Sequence, residues 1–290
     1  MRPANIVTAI SDILAGVAIA GYFAKTALDD TNWLGVVWLA ASTIGLYGGG
    51  VVLNDVFDAE LDKKERPERP IPSGTIRKST AAFFGTILLV LGIAAACLVH
   101  ERLLSVSTVL AITIAIAAVI YDKWGKHLLW IGPVNMGLCR GLNLLLGMSI
   151  LPAAVGTLWY LAVVPIVYIA AITSISRGEV YGARTSTLQA AVFMYSAVVL
   201  SILAFAWYNS NLLASIAFLA LFAIMIMLPL FKAIKQPAGP LVGKSVKAGV
   251  LALILMNAAW AAAAGFVPLA FAIMLLLPFS LLLAKLFAVT

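Results

Sequence analysis

Residues 54–74 read N-D-V-F-D-A-E-L-D-K-K-E-R-P-E-R-P-I-P-S-G and follow directly on an apolar run. That burst of charge is foreign to the rest of the 290-residue chain, which is 63% apolar and 11% charged with a mean hydropathy of +1.07. Water-soluble domains carry roughly a quarter charged residues, so the composition excludes one and predicts an integral membrane protein. The apolar runs are long and unbroken rather than alternating. Each is close to the roughly 20 residues that carry a helix across a hydrocarbon core of about 30 Å, which excludes a β-barrel. The quoted stretch is therefore read as the mouth of a membrane span.

Working outward, apolar segments are predicted at 5–27, 34–53, 80–99, 104–120, 130–151, 158–176, 188–208, 212–231, 246–264 and 268–286. The last contains Pro268 and Pro278, so the expectation is an all-α bundle of nine to ten transmembrane helices in a single domain, 1–290. No small-residue cleavage site follows a short apolar stretch at the start, and the first span is expected to be retained. Alternate loops hold Arg2; Lys63 to Lys78; Lys123 and Lys126; Arg177 and Arg184; and Lys232 to Lys247, or 15 of the 19 Lys and Arg. Positive charge accumulates on the cytoplasmic side, which places the charged loops there and accounts for the net charge of +7 without nucleic acid. Cys97 and Cys139 fall inside predicted spans and lack the spacing of a metal or redox pair, so they are read as packing residues.

If the second span stays helical past Leu53, Asp55, Asp58 and Asp62 fall within about 60° of arc, with Asn54 beside Asp58. Two readings fit that face. Its carboxylates repel one another unless a cation sits among them, and oxygen ligands with room for water and phosphate suit Mg²⁺. Alternatively, the loop through Lys78, with its acids balanced by bases, is a solvated juxtamembrane connection. The Pro-rich R-P-E-R-P-I-P-S-G that follows holds Arg66 and Arg69 in stiff backbone beside the acids, an arrangement suited to a phosphorylated ligand.

N-D-x-x-D-x-x-x-D followed by R-P-I-P-S-G resembles the first aspartate-rich motif of the UbiA superfamily of intramembrane prenyltransferases. Arg2-Pro3 and Asn5, Tyr121 with Lys126, and Arg140, Asn143 and Gly147 resemble the family too, so that the likeness runs to about Thr187. The resemblance implies a helical bundle around a central polar cavity, open sideways to lipid and capped by cytoplasmic loops. It implies Mg²⁺-dependent transfer of an isoprenyl group from an isoprenyl diphosphate to an aromatic or other small acceptor. Asp55, Asp58 and Asp62 are the metal ligands it implies, with Glu179 beside them in catalysis. Asn5, Asn54, Arg66, Arg69, Lys126, Arg140, Asn143, Arg177 and Arg184 are expected as the substrate-binding residues. Metal and bases would stabilise departing diphosphate, and aromatic faces the allylic cation.

The chain departs from the family at the second acidic motif. Residues 175–188 read I-S-R-G-E-V-Y-G-A-R-T-S-T-L, with Glu179 the single acid. A second Mg²⁺ is accordingly expected to bind weakly or not at all, with Arg177 and Arg184 contacting the diphosphate instead. Asp122 is read either as a compensating ligand or as a surface partner of Lys126. The reduced motif keeps a second function open, a catalytically altered protein that binds or transports a hydrophobic intermediate, and a third, transfer onto a phosphorylated polyprenol. Arg140 inside a span must face a cavity or a partner. Asn135 and Asn143 serve either as ligands or as interhelical bonds, Asp12 shares a helix face with Asn5, and Gly45, Gly48, Gly49 and Gly50 are read as helix-contact residues. His100 and His127 are assigned no role.

Overall fold

The structure is a computed structural model that describes residues 3–25, 33–128 and 131–286. With no water in the hydrocarbon, each apolar run satisfies its backbone within itself, and the described residues hold helices without strands. The order is α1 (Pro3–Ile19), α2 (Tyr22–Lys25), α3 (Trp33–Phe57), α4 (Ala59–Glu65), α5 (Lys78–Leu98), α6 (Val106–Lys123), α7 (Ile131–Met148), α8 (Pro152–Leu158), α9 (Val163–Ser176), α10 (Thr185–Tyr208), α11 (Leu212–Lys235), α12 (Gly239–Ala263) and α13 (Val267–Leu286). Every predicted apolar segment has a helical counterpart. By length and composition seven are fit to cross a membrane, the 152–176 segment being one of them, while α1 and α13 are shorter apolar helices.

Three boundaries differ from the sequence reading. The first segment, predicted over 5–27, stops as a helix at Ile19 because Gly21 adopts φ 72°, a conformation that ends α1 cheaply. The sixth is interrupted by a 3₁₀ turn at Trp159–Ala162 between α8 and α9. The ninth starts earlier than predicted, at Gly239, with Pro240 in its first turn, where a missing N–H costs nothing. Arg2, used in the orientation argument and in the family likeness, lies outside the described residues.

Small residues set the closest helix crossings. A Cβ on Gly45 would stand 2.7 Å from the Leu88 carbonyl oxygen and 2.8 Å from Gly92, and one on Gly49 would stand 2.8 Å from the Gly85 carbonyl, so α3 and α5 pack backbone to backbone. Gly16 and Gly147 do the same for α1 and α7, the Gly147 position abutting the Ile13 carbonyl. Gly137 and Gly141 bring α7 against Ile166 of α9. At the centre lies α12, buried at every residue from Leu251 to Ala263 and in contact with α1, α9, α10, α11 and α13. α1 is the counterpart on the other side, touching α3, α7, α12 and α13. Outward faces carry Phe83, Leu91, Phe193, Leu200 and Leu275, all exposed, as lipid contact requires.

The charged loops meet at one end. Lys126, after α6, pairs with Asp58, after α3; Arg177, after α9, donates to the Leu128 carbonyl at 3.1 Å. The turn holding Glu179 and Gly182 rests on Pro237, before α12, and on Gly239, its first residue. Four connections that are remote in sequence thus form one cap.

Candidate active site

The helix of α3 barely breaks where the motif begins. Asp58 keeps helical backbone, its N–H donating to the Asn54 carbonyl and its carbonyl accepting from Asp62 N–H, before α4 continues. The expected acidic face therefore exists, but the protein's own cations divide it in two. Lys126 Nζ bridges Asp58 and the Asn54 side-chain oxygen, the latter at 3.0 Å. Arg69 Nη1 stands 2.8 Å from Asp62 and 3.4 Å from Asp55. The stiff R-P-E-R-P segment aims Arg69 back along the helix that precedes it. Among the described residues no three acidic, His or Cys side chains gather closely enough to form a metal site by themselves.

Below this rim a cavity of about 330 Å³ opens between α3, α6 and α7. Its upper end presents Asn54, Asp58, Tyr121, Asp122 and Lys126; Leu46, Val51, Ile114, Ala118 and Met136 supply an apolar wall; and Thr43, Tyr47, Arg140 and Asn143 form its floor. A charged upper end, an apolar barrel and a polar floor suit a long ligand with a charged head.

The floor is part of a buried polar network. Asp12 of α1 accepts from Arg140 Nη1 at 2.7 Å and from Asn143 Nδ2 at 3.1 Å on one oxygen, and from Asn257 Nδ2 at 2.8 Å on the other. Arg140 Nη2 donates to Thr8 Oγ1 at 2.7 Å, whose hydroxyl in turn donates to the Asn5 carbonyl. Thr43 donates to the Asn143 oxygen at 2.7 Å. With Asp12 1% exposed and Arg140 7% exposed, this charge pair survives in the bundle through its partners. The Arg140 guanidinium also lies 5.3 Å from the Tyr47 ring centre, a cation–π distance facing the cavity.

Of the residues expected at the site, Asn54, Asp58, Lys126, Arg140 and Asn143 line this one cavity. Asp55, Asp62 and Arg69 stand at its rim, and Asn5 enters the network through its carbonyl. Arg66 acts on Glu179: burial raises the Glu179 carboxyl above its ordinary range, and Arg66 pulls it back down. Arg177 is exposed and tied to the Leu128 carbonyl, and Arg184 is exposed at the start of α10. The surface reading of Asp122 is corrected, since Asp122 is buried at 5% exposure and faces the cavity, while the ion pair of Lys126 goes to Asp58. Both cysteines are free, and Cys139 lines the cavity. Sequence reasoning missed Tyr47, Thr43 and Asn257. The available signal for Asn257 was a lone amide in an otherwise apolar run.

Fold and site define a multispanning helical membrane protein with an acid- and base-rimmed cavity in its bundle. The chain belongs to the UbiA prenyltransferase family, matching that family over residues 14–177. It is 31% identical over 147 residues to the digeranylgeranylglyceryl phosphate synthase of Methanothrix thermoacetophila, which covers 51% of each chain. With the synthase of the same name from Haloquadratum walsbyi it shares 32% identity over 177 residues, 61% of this chain and 57% of that one. The chain thus spans about half the length of the curated relatives it matches. Among solved structures, a ligand-free UbiA homologue from Aeropyrum pernix K1 superposes with a TM-score of 0.71 at 18% identity, covering 89% of this chain and 98% of the other. A structure concerned with digeranylgeranylglyceryl phosphate synthase in membranes gives 0.64 at 21% identity, over 90% and 94%. These two likenesses concern the fold.

Proposed function

We propose that the protein transfers an isoprenyl group from an isoprenyl diphosphate to a small acceptor inside the membrane, with Mg²⁺. The observation that carries the reading is the convergence of Asn54, Asp58, Lys126, Arg140 and Asn143 on one cavity whose walls are apolar. The names of the relatives make a glyceryl phosphate the first acceptor class to test, ahead of an aromatic one.

The donor set at the rim fits Mg²⁺ in kind. Asn54, Asp55, Asp58 and Asp62 offer only oxygen, and Mg²⁺ is commonly held by one or two carboxylates together with water and substrate phosphate. When bound, the metal supplies charge neutralisation for the diphosphate as it departs. The chain's own groups do the rest. Lys126 and Arg69, already seated on the carboxylates, are placed to take phosphate oxygens as charge-assisted donors. The apolar wall orients the isoprenyl chain and excludes water from the reacting carbon. The allylic C–O bond breaks with its electron pair leaving on the diphosphate, and the Tyr47 and Tyr121 rings in the cavity face the resulting cation. The acceptor's nucleophilic atom bonds to that carbon and gives up its proton to an oxygen of the departed diphosphate.

The test is turnover of labelled geranylgeranyl diphosphate by the purified full chain with Mg²⁺. Losing one charge-stabilising group at such a site costs about 10²–10³ in rate, so Asp58→Ala should lose that much while its thermal unfolding is retained. Undiminished turnover in that variant would remove the assignment; ligand binding with vectorial movement in liposomes but no turnover would replace it with the carrier reading. The same proposal puts the charged cap in the cytoplasm. A cysteine introduced by Ser73→Cys should then react with an impermeant thiol reagent from that face alone, and labelling from the opposite face would reverse the orientation.

A further inference from the structure

A second, separate groove lies between α11 and α12 at the end of the bundle that carries the charged cap. It measures about 340 Å³ and shares no residue with the central cavity. Ile224, Met225 and Leu228 of α11, with Leu241 of α12, form its apolar wall, and Lys232 and Lys244 lie at its polar end. Leu228 and Lys232 are one helical turn apart on α11, with Lys232 on the cap side of Leu228, whereas α12 runs the opposite way and carries Lys244 one turn further from the cap than Leu241. Pro229 also lines the groove, where it has no N–H to return to the Met225 carbonyl one turn earlier.

The charge around this groove is unbalanced. From Val180 to Thr290 the sequence holds no Asp or Glu, against Arg184, Lys232, Lys235, Lys244, Lys247 and Lys285, and the acid that packs against α12, Glu179 beside Gly243, forms no ion pair with Lys232 or Lys244. Lys232 and Lys244 are exposed, and among the described residues neither has an acidic partner. The bases of the central site behave differently, since Lys126, Arg69 and Arg140 are each neutralised by an aspartate. A pair of uncompensated ammonium groups above an apolar wall, at the level where a membrane helix ends, is complementary to a phosphodiester headgroup with an acyl chain beneath it.

We infer that the α11–α12 groove is a binding site for an anionic glycerophospholipid. Lys232 and Lys244 hold its phosphate, and one acyl chain lies along Ile224, Met225 and Leu228. The site is distinct from the substrate cavity and does not depend on the proposed transferase chemistry.

The test is native mass spectrometry of the full chain, delipidated in detergent and titrated with phosphatidylglycerol or phosphatidylcholine. One phosphatidylglycerol should be retained in preference to phosphatidylcholine. A lysine near an anionic headgroup is worth about a fivefold factor in affinity, so Lys232→Gln with Lys244→Gln should weaken phosphatidylglycerol roughly thirtyfold. Lys235→Gln with Lys247→Gln removes the same charge from residues that do not line the groove, and should have a much smaller effect. Leu228→Trp fills the apolar wall and should weaken the lipid while leaving inorganic phosphate binding unchanged. Equal losses in the two lysine pairs would reduce the site to diffuse surface charge and overturn the inference. So would indifference between the two lipids, or inorganic phosphate displacing the lipid while Leu228→Trp has no effect, which would make it a free-anion site. If Leu228→Trp fails to fold, the two lysine pairs, altered at exposed positions, still decide the matter.

Discussion

Asp58 and Asp62 each carry a base from elsewhere in the chain, and this pairing lets a cluster of carboxylates exist before any metal or substrate arrives. Lys126 comes from a connection 68 residues on, and Arg69 from the Pro-stiffened loop that follows the acids. A diphosphate entering the rim meets bases already in place, and a metal meets oxygens already gathered in pairs. Glu179 behaves differently, because burial raises its carboxyl above the ordinary value of 4.5 and Arg66 only partly offsets that. Folding therefore favours its protonated form. The stability this contributes is fully present below about pH 4.5, the ordinary carboxyl value, and is lost as pH rises through the raised folded-state value. Glu179→Gln removes the titration, so its melting temperature should gain on that of the native chain as pH rises from 4.5 toward neutrality and match it in acid. A constant difference across that range would show that burial does not govern this carboxyl. The N-D-x-x-D-x-x-x-D spacing made the acidic face legible. Its division into two base-capped pairs was not, because the residue that caps Asp58 approaches only through the packing of α6 and α7 on α3.

At the level of helices, glycine pairs decide which rods touch. Gly16 and Gly147 let α1 and α7 approach until a Cβ on either would strike the other's backbone, and that approach brings Asp12 within reach of Arg140. Overpacking at such a contact costs about 1–3 kcal/mol or more, so Gly147→Val should lower the unfolding midpoint in detergent and loosen the floor of the cavity with it. Gly156 points into open space, and Gly156→Ala should leave the midpoint within error; equal effects would contradict the packing described for α1 and α7. Helix existence was readable from hydropathy alone, and of the glycines read as helix contacts Gly45 and Gly49 abut α5, whereas Gly50 lines the cavity. The early end of α1 was not readable, since Gly21 ends the helix by adopting φ 72° while the surrounding sequence stays apolar. The 3₁₀ turn at Trp159–Ala162 carried no sequence signal for the same reason.

Across the whole molecule, a single carboxylate joins three helices. Asp12 of α1 bonds to Arg140 and Asn143 of α7 and to Asn257 of α12, so the cavity floor is also the junction of the bundle. Removing one partner of a buried charge pair costs about 3–5 kcal/mol, whereas replacing both by apolar groups is often nearly neutral. Asp12→Leu alone should therefore destabilise the protein sharply, and adding Arg140→Met should restore much of the loss in unfolding experiments, without restoring transfer. Additive losses would mean that the two side chains do not depend on each other. No local pattern announces this junction, because Asn257 sits 245 residues from its partner in a helix otherwise built for burial.

That junction also orders the birth of the protein. α1 leaves the ribosome before the helices it joins, carrying a carboxylate whose guanidinium partner follows 128 residues later and whose amide partner follows 245 residues later. Ser280 of α13 then donates to the Ala4 carbonyl, 276 residues earlier in the chain. The acid of α1 therefore stays unmatched in the membrane until α7 is inserted, and its set of partners is complete only when α12 arrives.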